Sequence, residues 1–159
     1  MYRILFLCAI LPTLAAAQSG FEKSLDDIDS AGRSLVAARC KAPLSSSEEQ
    51  VQNRHEDNVT DQIHSIRCDG YSLKYYVANS YVPPHDIPMR LTLTKPHKAL
   101  PIDLNIGVSA ANVRSRLGTP DRDTDGKLVY VVGEAAADSI TYVVKGNKII
   151  EIDWAWDVD

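Results

Sequence analysis

The chain has 159 residues, with 17 basic residues against 21 acidic ones, 45% hydrophobic residues and a net charge of −4 at neutral pH. This length is sufficient for one domain with a hydrophobic core and would be cramped for two. Because an acidic domain repels phosphate backbones, the composition argues against nucleic acid as a partner.

Residues 1–17 have the three parts of a cleavable signal peptide. Arg3 supplies a positive charge, residues 4–11 form a short apolar run, and residues 15–17 are alanines that suit a cleavage site. The apolar run is shorter than the roughly 20 residues that a bilayer span needs. We therefore expect cleavage after Ala17 and a soluble periplasmic protein with no membrane span. Loss of Arg3 would leave 16 basic residues against 21 acidic ones, a net charge of −5.

Export would place the two cysteines of the mature chain, Cys40 and Cys68, where thiols are oxidised. We predict a disulfide between them; two buried free thiols are the alternative. Neither cysteine belongs to a C-x-x-C pair and no histidine lies at ligand spacing, so we expect no metal site here.

The first half of the mature chain predicts one helix and three strands. Phe21, Leu25, Ile28 and Leu35 recur at helical spacing, which predicts a helix from residue 21 to about residue 39. Residues 45–61 are mostly polar, and we interpret them as a surface segment with at most one helical turn.

Residues 63–68 and 71–78 change to a period of two and are predicted strands. Asp69-Gly70 between them favours a two-residue type I′ hairpin. This register pairs Cys68 with Tyr71, Ile66 with Leu73 and His64 with Tyr75. The opposite face then carries polar residues, which are Ser65, Arg67, Ser72 and Lys74. A third strand is predicted at 89–95, with Arg90, Thr92 and Thr94 facing outward.

The second half begins with a helix signal at Gly107-Val108-Ser109, where Ser109 is the predicted N-cap. Gly118 and Pro120 predict the end of this helix. Three strands are then predicted, at residues 127–132, 139–144 and 148–156.

The last hairpin allows two loop lengths. A two-residue turn would oppose Tyr142 to Glu151, whereas a three-residue loop over 145–147 opposes Tyr142 to Ile150. We predict the three-residue loop. Trp154 and Trp156 then lie on the face that carries Ile150.

These elements predict an α+β fold: one domain over residues 18–159, with a helix-plus-meander half over 18–100, another over 101–159, and one disulfide. Both halves have the order helix, strand, strand, strand. An internal duplication is one interpretation, although no residue-level repeat accompanies it.

The C-terminal half resembles the SmpA/OmlA family of small outer-membrane assembly lipoproteins. The residues that carry the resemblance are Ile106-Gly107-Val108-Ser109, Val113, Leu117-Gly118-Thr119-Pro120, Tyr130, Ile140-Thr141-Tyr142 and Lys148-Ile149-Ile150. It covers about residues 102–156. The layout is also similar to that of β-lactamase inhibitory proteins, which implies a sheet that is presented to another protein.

Residues 121–126 match the first half of a calcium loop, D-x-D-x-D-G, but the closing position is Val132 instead of glutamate. We interpret the segment as a polar turn and expect no metal and no cofactor. No nucleophile-and-base signature is recognisable, so we expect a protein that is not an enzyme.

Aromatic residues and a stiff loop are the candidate partner-binding residues. They are Tyr76, Tyr81, Pro83, Pro84 and Trp156. Aromatic anchors contribute much of the binding energy in protein interfaces, and a rigid loop loses little entropy on binding.

We therefore expect a periplasmic module that binds another protein, as an inhibitor or an immunity protein that blocks a toxin. The alternative is an accessory factor of envelope assembly, which the SmpA/OmlA resemblance implies. A third hypothesis, binding or hydrolysis of a small ligand, predicts a deep pocket with converging polar groups.

Overall fold

A computed structural model describes residues 13–133 and 138–158, which form two α-helices and eight strands. The elements in chain order are α1 (Thr13–Ala38), β1 (Ser45–Gln52), β2 (Thr60–Cys68), β3 (Tyr71–Ala78), β4 (His85–Leu93), a 3-10 helix (Ile102–Leu104), α2 (Ala110–Leu117), β5 (Arg122–Thr124), β6 (Lys127–Val132), β7 (Asp138–Lys145) and β8 (Lys148–Ala155). Most of the predicted signal peptide, residues 1–12, lies outside the described residues.

The eight strands form one antiparallel sheet in the order β1-β2-β3-β4-β8-β7-β6-β5. Each half of the chain contributes four adjacent strands, and the last strand of each half, β4 and β8, pair at the centre. The predicted fold of a helix and three strands in each half is therefore wrong in strand number, and sheet makes up most of the regular secondary structure. The additional strands are the two edges, β1 and β5.

Both edge strands lack an apolar pattern because they bury almost nothing. Ser45–Gln52 is exposed along nearly its whole length, so period two gave no signal, and the predicted surface segment is in fact a strand paired with β2. Arg122–Thr124 is fully exposed and pairs with β6 across the turn at Asp125-Gly126. The segment that resembles half a calcium loop is this short hairpin.

The hairpin of β2 and β3 has the predicted register, with Cys68 opposite Tyr71 and His64 opposite Tyr75. Its turn is not type I′, because Gly70 has a φ of +83° whereas Asp69 has no positive φ. The Gly70 carbonyl accepts hydrogen bonds from the backbone N–H groups of Thr94 and Lys95, at 2.8 and 3.2 Å. The backbone that follows β4 therefore helps to fix this turn, in addition to the pairing of β2 with β3.

The predicted register of the last hairpin is wrong. The turn has two residues, Gly146 and Asn147, with φ values of +57° and +60°, as a type I′ turn requires. A register shift after Val143 leaves Ile150 as a bulge, so that Tyr142 pairs with Ile152. The bulge lets Ile149 and Ile152 both enter the core while Ile150 stays 43% exposed.

Helix α2 has the predicted ends. The Ser109 side chain accepts a hydrogen bond from the Asn112 backbone N–H, and Gly118 follows the last turn with a φ of +78° and donates to the Arg114 carbonyl. Val113 and Leu117 are buried against the sheet core. The local capping signals in the sequence were therefore sufficient to locate this helix.

Helix α1 contains the predicted helix and crosses the sheet at Trp154. The Trp154 indole is fully buried and its Nε1 donates to the Ile28 carbonyl at 3.3 Å. A Cβ at Gly32 would lie 2.7 Å from this Nε1, so only glycine permits the approach. After α1, the Cys40–Cys68 disulfide ties the chain to the end of β2, as predicted.

We predict that Gly32→Ala destabilises the protein by about 1 to 3 kcal/mol, because its methyl group would overlap Trp154. Alanine is otherwise the better helix former by about 1 kcal/mol. The matched control is Gly20→Ala in the same helix, where a Cβ meets no atom within 4 Å. Urea unfolding of both variants checks the prediction, and equal stabilities would contradict it.

Candidate functional site

The two faces of the sheet differ in chemistry. One packs against the helices and carries the core, in which Leu91, Ile140, Tyr142 and Ile152 are buried. The face on the other side is called the open face here and is defined by one row of paired residues, one from each strand. The row reads Ser45, Arg67, Ser72, Thr92, Asp153, Thr141, Val129, Arg122. Hydroxyl and charged groups dominate it.

Asp153 lies at the centre of the open face, where β8 meets β4. Its carboxylate accepts hydrogen bonds from Arg90 Nε at 2.7 Å, Arg90 Nη2 at 3.0 Å and Thr92 Oγ1 at 2.7 Å. The residue is only 8% exposed. The hydrogen bonds and charge of Asp153 raise the pKa of Arg90. This two-point contact links the two halves of the chain and fixes the orientation of the Arg90 guanidinium.

Tyr76, a predicted partner-binding residue, lies on the open face in β3 and is half-buried. Its hydroxyl donates to the carboxylate of Asp61, which also accepts from the Asn79 backbone N–H and the Asn53 amide, both at 2.7 Å. Burial raises the pKa of Asp61, but these hydrogen bonds outweigh it and hold the pKa below 3.8. Burial and Asp61 together raise the pKa of Tyr76 to about 12.

Tyr81, Pro83 and Pro84 lie in the loop that joins β3 to β4, which is exposed. The Tyr81 ring is 53% exposed and stacks on His85, with 4.5 Å between ring centroids. Val82 is 99% exposed, and its bond to Pro83 is cis. The loop therefore presents an aromatic ring and an aliphatic side chain to solvent, next to the strand that carries Tyr76.

Trp156 lies elsewhere, and it is only 6% exposed. Its Nε1 donates to Asp29 Oδ1 at 2.7 Å, and the Arg33 guanidinium lies 5.3 Å from its ring centroid. The indole fastens α1 to the chain after β8. In this structure it does not form one surface with Tyr81, because its ring is enclosed by the helix.

In the described part of the chain, three grooves reach the open face, and the smallest of them, of about 290 Å³, lies at its end beside Asp69 and Gly70. The other two run along the face. The first, called the β1–β4 groove, has a volume of about 340 Å³ and is lined from strands β1 to β4. The second, of about 380 Å³, lies over β5 to β8 and includes Asp153 in its wall. The sequence predicted that Arg67, Lys74 and Arg90 point outward. Their assembly into one groove was missed because β1 and the pairing of β3 with β4 were not predicted.

In residues 13–133 and 138–158, no group of three or more His, Cys, Asp or Glu residues could hold a metal ion. No helix of the same ranges combines the length and apolarity that a membrane span requires. Comparison with known proteins finds no matching family model, no matching curated sequence and no matching solved structure.

We predict that Asp153→Asn lowers the free energy of unfolding by about 1 to 2 kcal/mol, because it weakens charge-assisted bonds at the junction of the halves. The expected loss of stability is modest, since the Arg90 side chain is 60% exposed. Asp69→Asn is the matched control: its pair with Lys95 is exposed on both sides, at 78% and 62%. Denaturant unfolding should show almost no effect there, and equal losses in the two variants would contradict the prediction.

We also predict that Tyr76→Phe destabilises the protein by about 1 to 2 kcal/mol near neutral pH, because Asp61 loses a donor. Since the folded pKa of Asp61 is below 3.8, this contribution is complete above that pH. It is lost as the pH falls through the folded value, so the two proteins should converge in acid. Tyr81→Phe makes the same change at an exposed ring and should change little. A stability difference that does not depend on pH would refute the mechanism.

Proposed function

We propose that the chain is an exported periplasmic protein whose mature part, residues 18–159, binds another protein and does not catalyse a reaction. In this proposal it acts as an inhibitor or an immunity protein. The observation that carries the proposal is a sheet whose one face is covered by helices over its middle strands and whose other face is left open. Such a surface spans all eight strands, and stable interfaces need a broad surface of roughly 800 Å² on each partner.

The loop between β3 and β4 supports the proposal with a second kind of contact. Tyr81 is exposed but already held by its stacking on His85, so it would lose little freedom on binding. Exposed Val82 provides an adjacent apolar contact. A central aromatic anchor surrounded by polar contacts is the usual arrangement of an interface.

The alternative proposal, an accessory factor of envelope assembly, is favoured by the layout of residues 102–156. A helix capped by Ser109 precedes antiparallel strands there, which is the layout on which the SmpA/OmlA resemblance rests. We also propose that the two halves arose by duplication. The mirrored strand order, with β4 against β8 at the centre, supports this history.

We predict that the full chain, tagged at its C-terminus and expressed in its native host, retains one protein partner from an envelope extract. Tyr81→Ala should weaken this binding at least about tenfold, since it removes the exposed aromatic anchor. Ile102→Ala is the control, because Ile102 is 90% exposed in the 3-10 helix. Calorimetry with the recovered partner measures both affinities.

Failure to retain any protein would contradict the binding proposal. Equal affinities of the Tyr81→Ala and Ile102→Ala variants would exclude the loop as the anchor. Recovery of outer-membrane assembly components, together with a permeability defect on deletion, would favour the alternative proposal.

A further inference from the structure

The β1–β4 groove has an unusual lining for a chain with an acidic excess. Three cations line it, Arg67, Lys74 and Arg90, and no acidic side chain does. Six hydroxyl-bearing residues from four strands also line it, and the remaining two lining residues are Ile66 and Leu73. The six are Ser45, Ser46, Ser47, Ser65, Ser72 and Thr92.

The strand register explains how these groups converge. Arg67 lies between Ser45 and Ser72 in one row, and Lys74 lies between Ser65 and Arg90 in the next. Paired residues on neighbouring strands are separated by about 5 Å and share a face. The groove therefore brings three cations and a set of hydroxyl groups together on one face of four neighbouring strands.

Lys74 and Arg90 are directly opposite each other, an arrangement that destabilises a sheet because like charges repel. Asp153 neutralises Arg90 from one side. Neither Arg67 nor Lys74 forms an ion pair with a described residue, and the five serine hydroxyls of the groove make no hydrogen bond to another group in the described part of the chain. An anion in the groove would relieve the repulsion and accept hydrogen bonds from these hydroxyls.

The second groove provides a comparison on the same face. Its three cations, Arg90, Arg122 and Lys127, face three carboxylates, which belong to Asp125, Glu151 and Asp153. That wall is balanced by its own charges, so it gives no preference for an anionic ligand. The preference is confined to the β1–β4 half of the face, which also carries the Tyr81 loop at the opposite end of β3 from the groove.

We infer that the β1–β4 groove receives a carboxylate-rich segment of the partner protein. The inference rests on the proposed protein-binding function and specifies the chemistry of the partner. Charge complementarity supports it: carboxylates accept from guanidinium, ammonium and hydroxyl groups together, and such pairing sets specificity and association rate. The Tyr81 loop then anchors the same partner at the end of β3.

The first test uses a fluorescent peptide of alternating aspartate and glycine, with a lysine–glycine peptide as its opposite. The aspartate peptide should bind, weaken with added salt, and shift the NMR signals of Ser47, Ser65, Ser72 and Thr92. Arg67→Glu with Lys74→Glu should lower its affinity at least about tenfold. Lys23→Glu with Lys98→Glu changes the net charge equally at exposed positions outside the groove and should change affinity less than about twofold.

Arg67→Gln with Lys74→Gln provides a milder variant if the double reversal does not fold, and thermal unfolding monitors both. Equal loss in the Lys23 and Lys98 control would overturn the inference, as would signals that shift elsewhere or binding of free glutamate as tight as that of the peptide. The second test uses the partner recovered with the full chain. If the partner binds the Arg67 and Lys74 variant with unchanged affinity, the groove inference fails and the binding function stands. If no partner exists, the binding function itself fails.

Discussion

The structure depends on the pairing of β4 with β8, because among the described strands this contact alone joins the two four-stranded halves into one sheet. Four residue pairs make the junction. On the core face, Leu91 opposes Trp154 and Leu93 opposes Ile152, and all four side chains are almost completely buried. On the open face, Thr92 opposes Asp153 and donates to it. Apolar burial on one side and a charged hydrogen-bond cluster on the other therefore hold the same short ladder.

The same junction determines why one face is covered and the other is open. Trp154 projects from the junction towards α1, where Gly32 allows the helix backbone to lie directly on the indole. Asp29 binds the Trp156 indole, and Arg33 extends the contact to Asp138 at 2.5 Å. Because these contacts hold α1 on the core face, the polar side chains behind it remain at the surface. The open face is thus a consequence of where the helix is anchored.

Charge is distributed unevenly over the open face. The chain is acidic overall, yet Arg67 and Lys74 lie without described ion-pair partners beside Arg90, in a groove that no acidic side chain lines. Towards the acidic partner segment that we infer, the net charge of the chain would be repulsive and the cations of this groove attractive, so the groove would orient the encounter. The hydroxyl groups around it add directional hydrogen-bond donors for a carboxylate.

Local features were predictable from the sequence. The ends of α2 at Ser109 and Gly118, the pairing of Cys68 with Tyr71 and the Cys40–Cys68 disulfide follow from capping, turn and cysteine signals within or between neighbouring segments.

The strand character of Ser45–Gln52, the bulge at Ile150 and the enclosure of Trp156 were not predictable. An edge strand buries too little to show a period, a bulge changes the register after the turn, and Trp156 is buried by a helix more than 120 residues earlier in sequence. The sequence by itself determined which side chains point outward on β2 and β3 and that Arg90 and Thr92 do so on β4, since alternation is a property of the strand alone. Only the tertiary structure decided that Arg67, Lys74 and Arg90 share one groove, because that depends on which strands become neighbours.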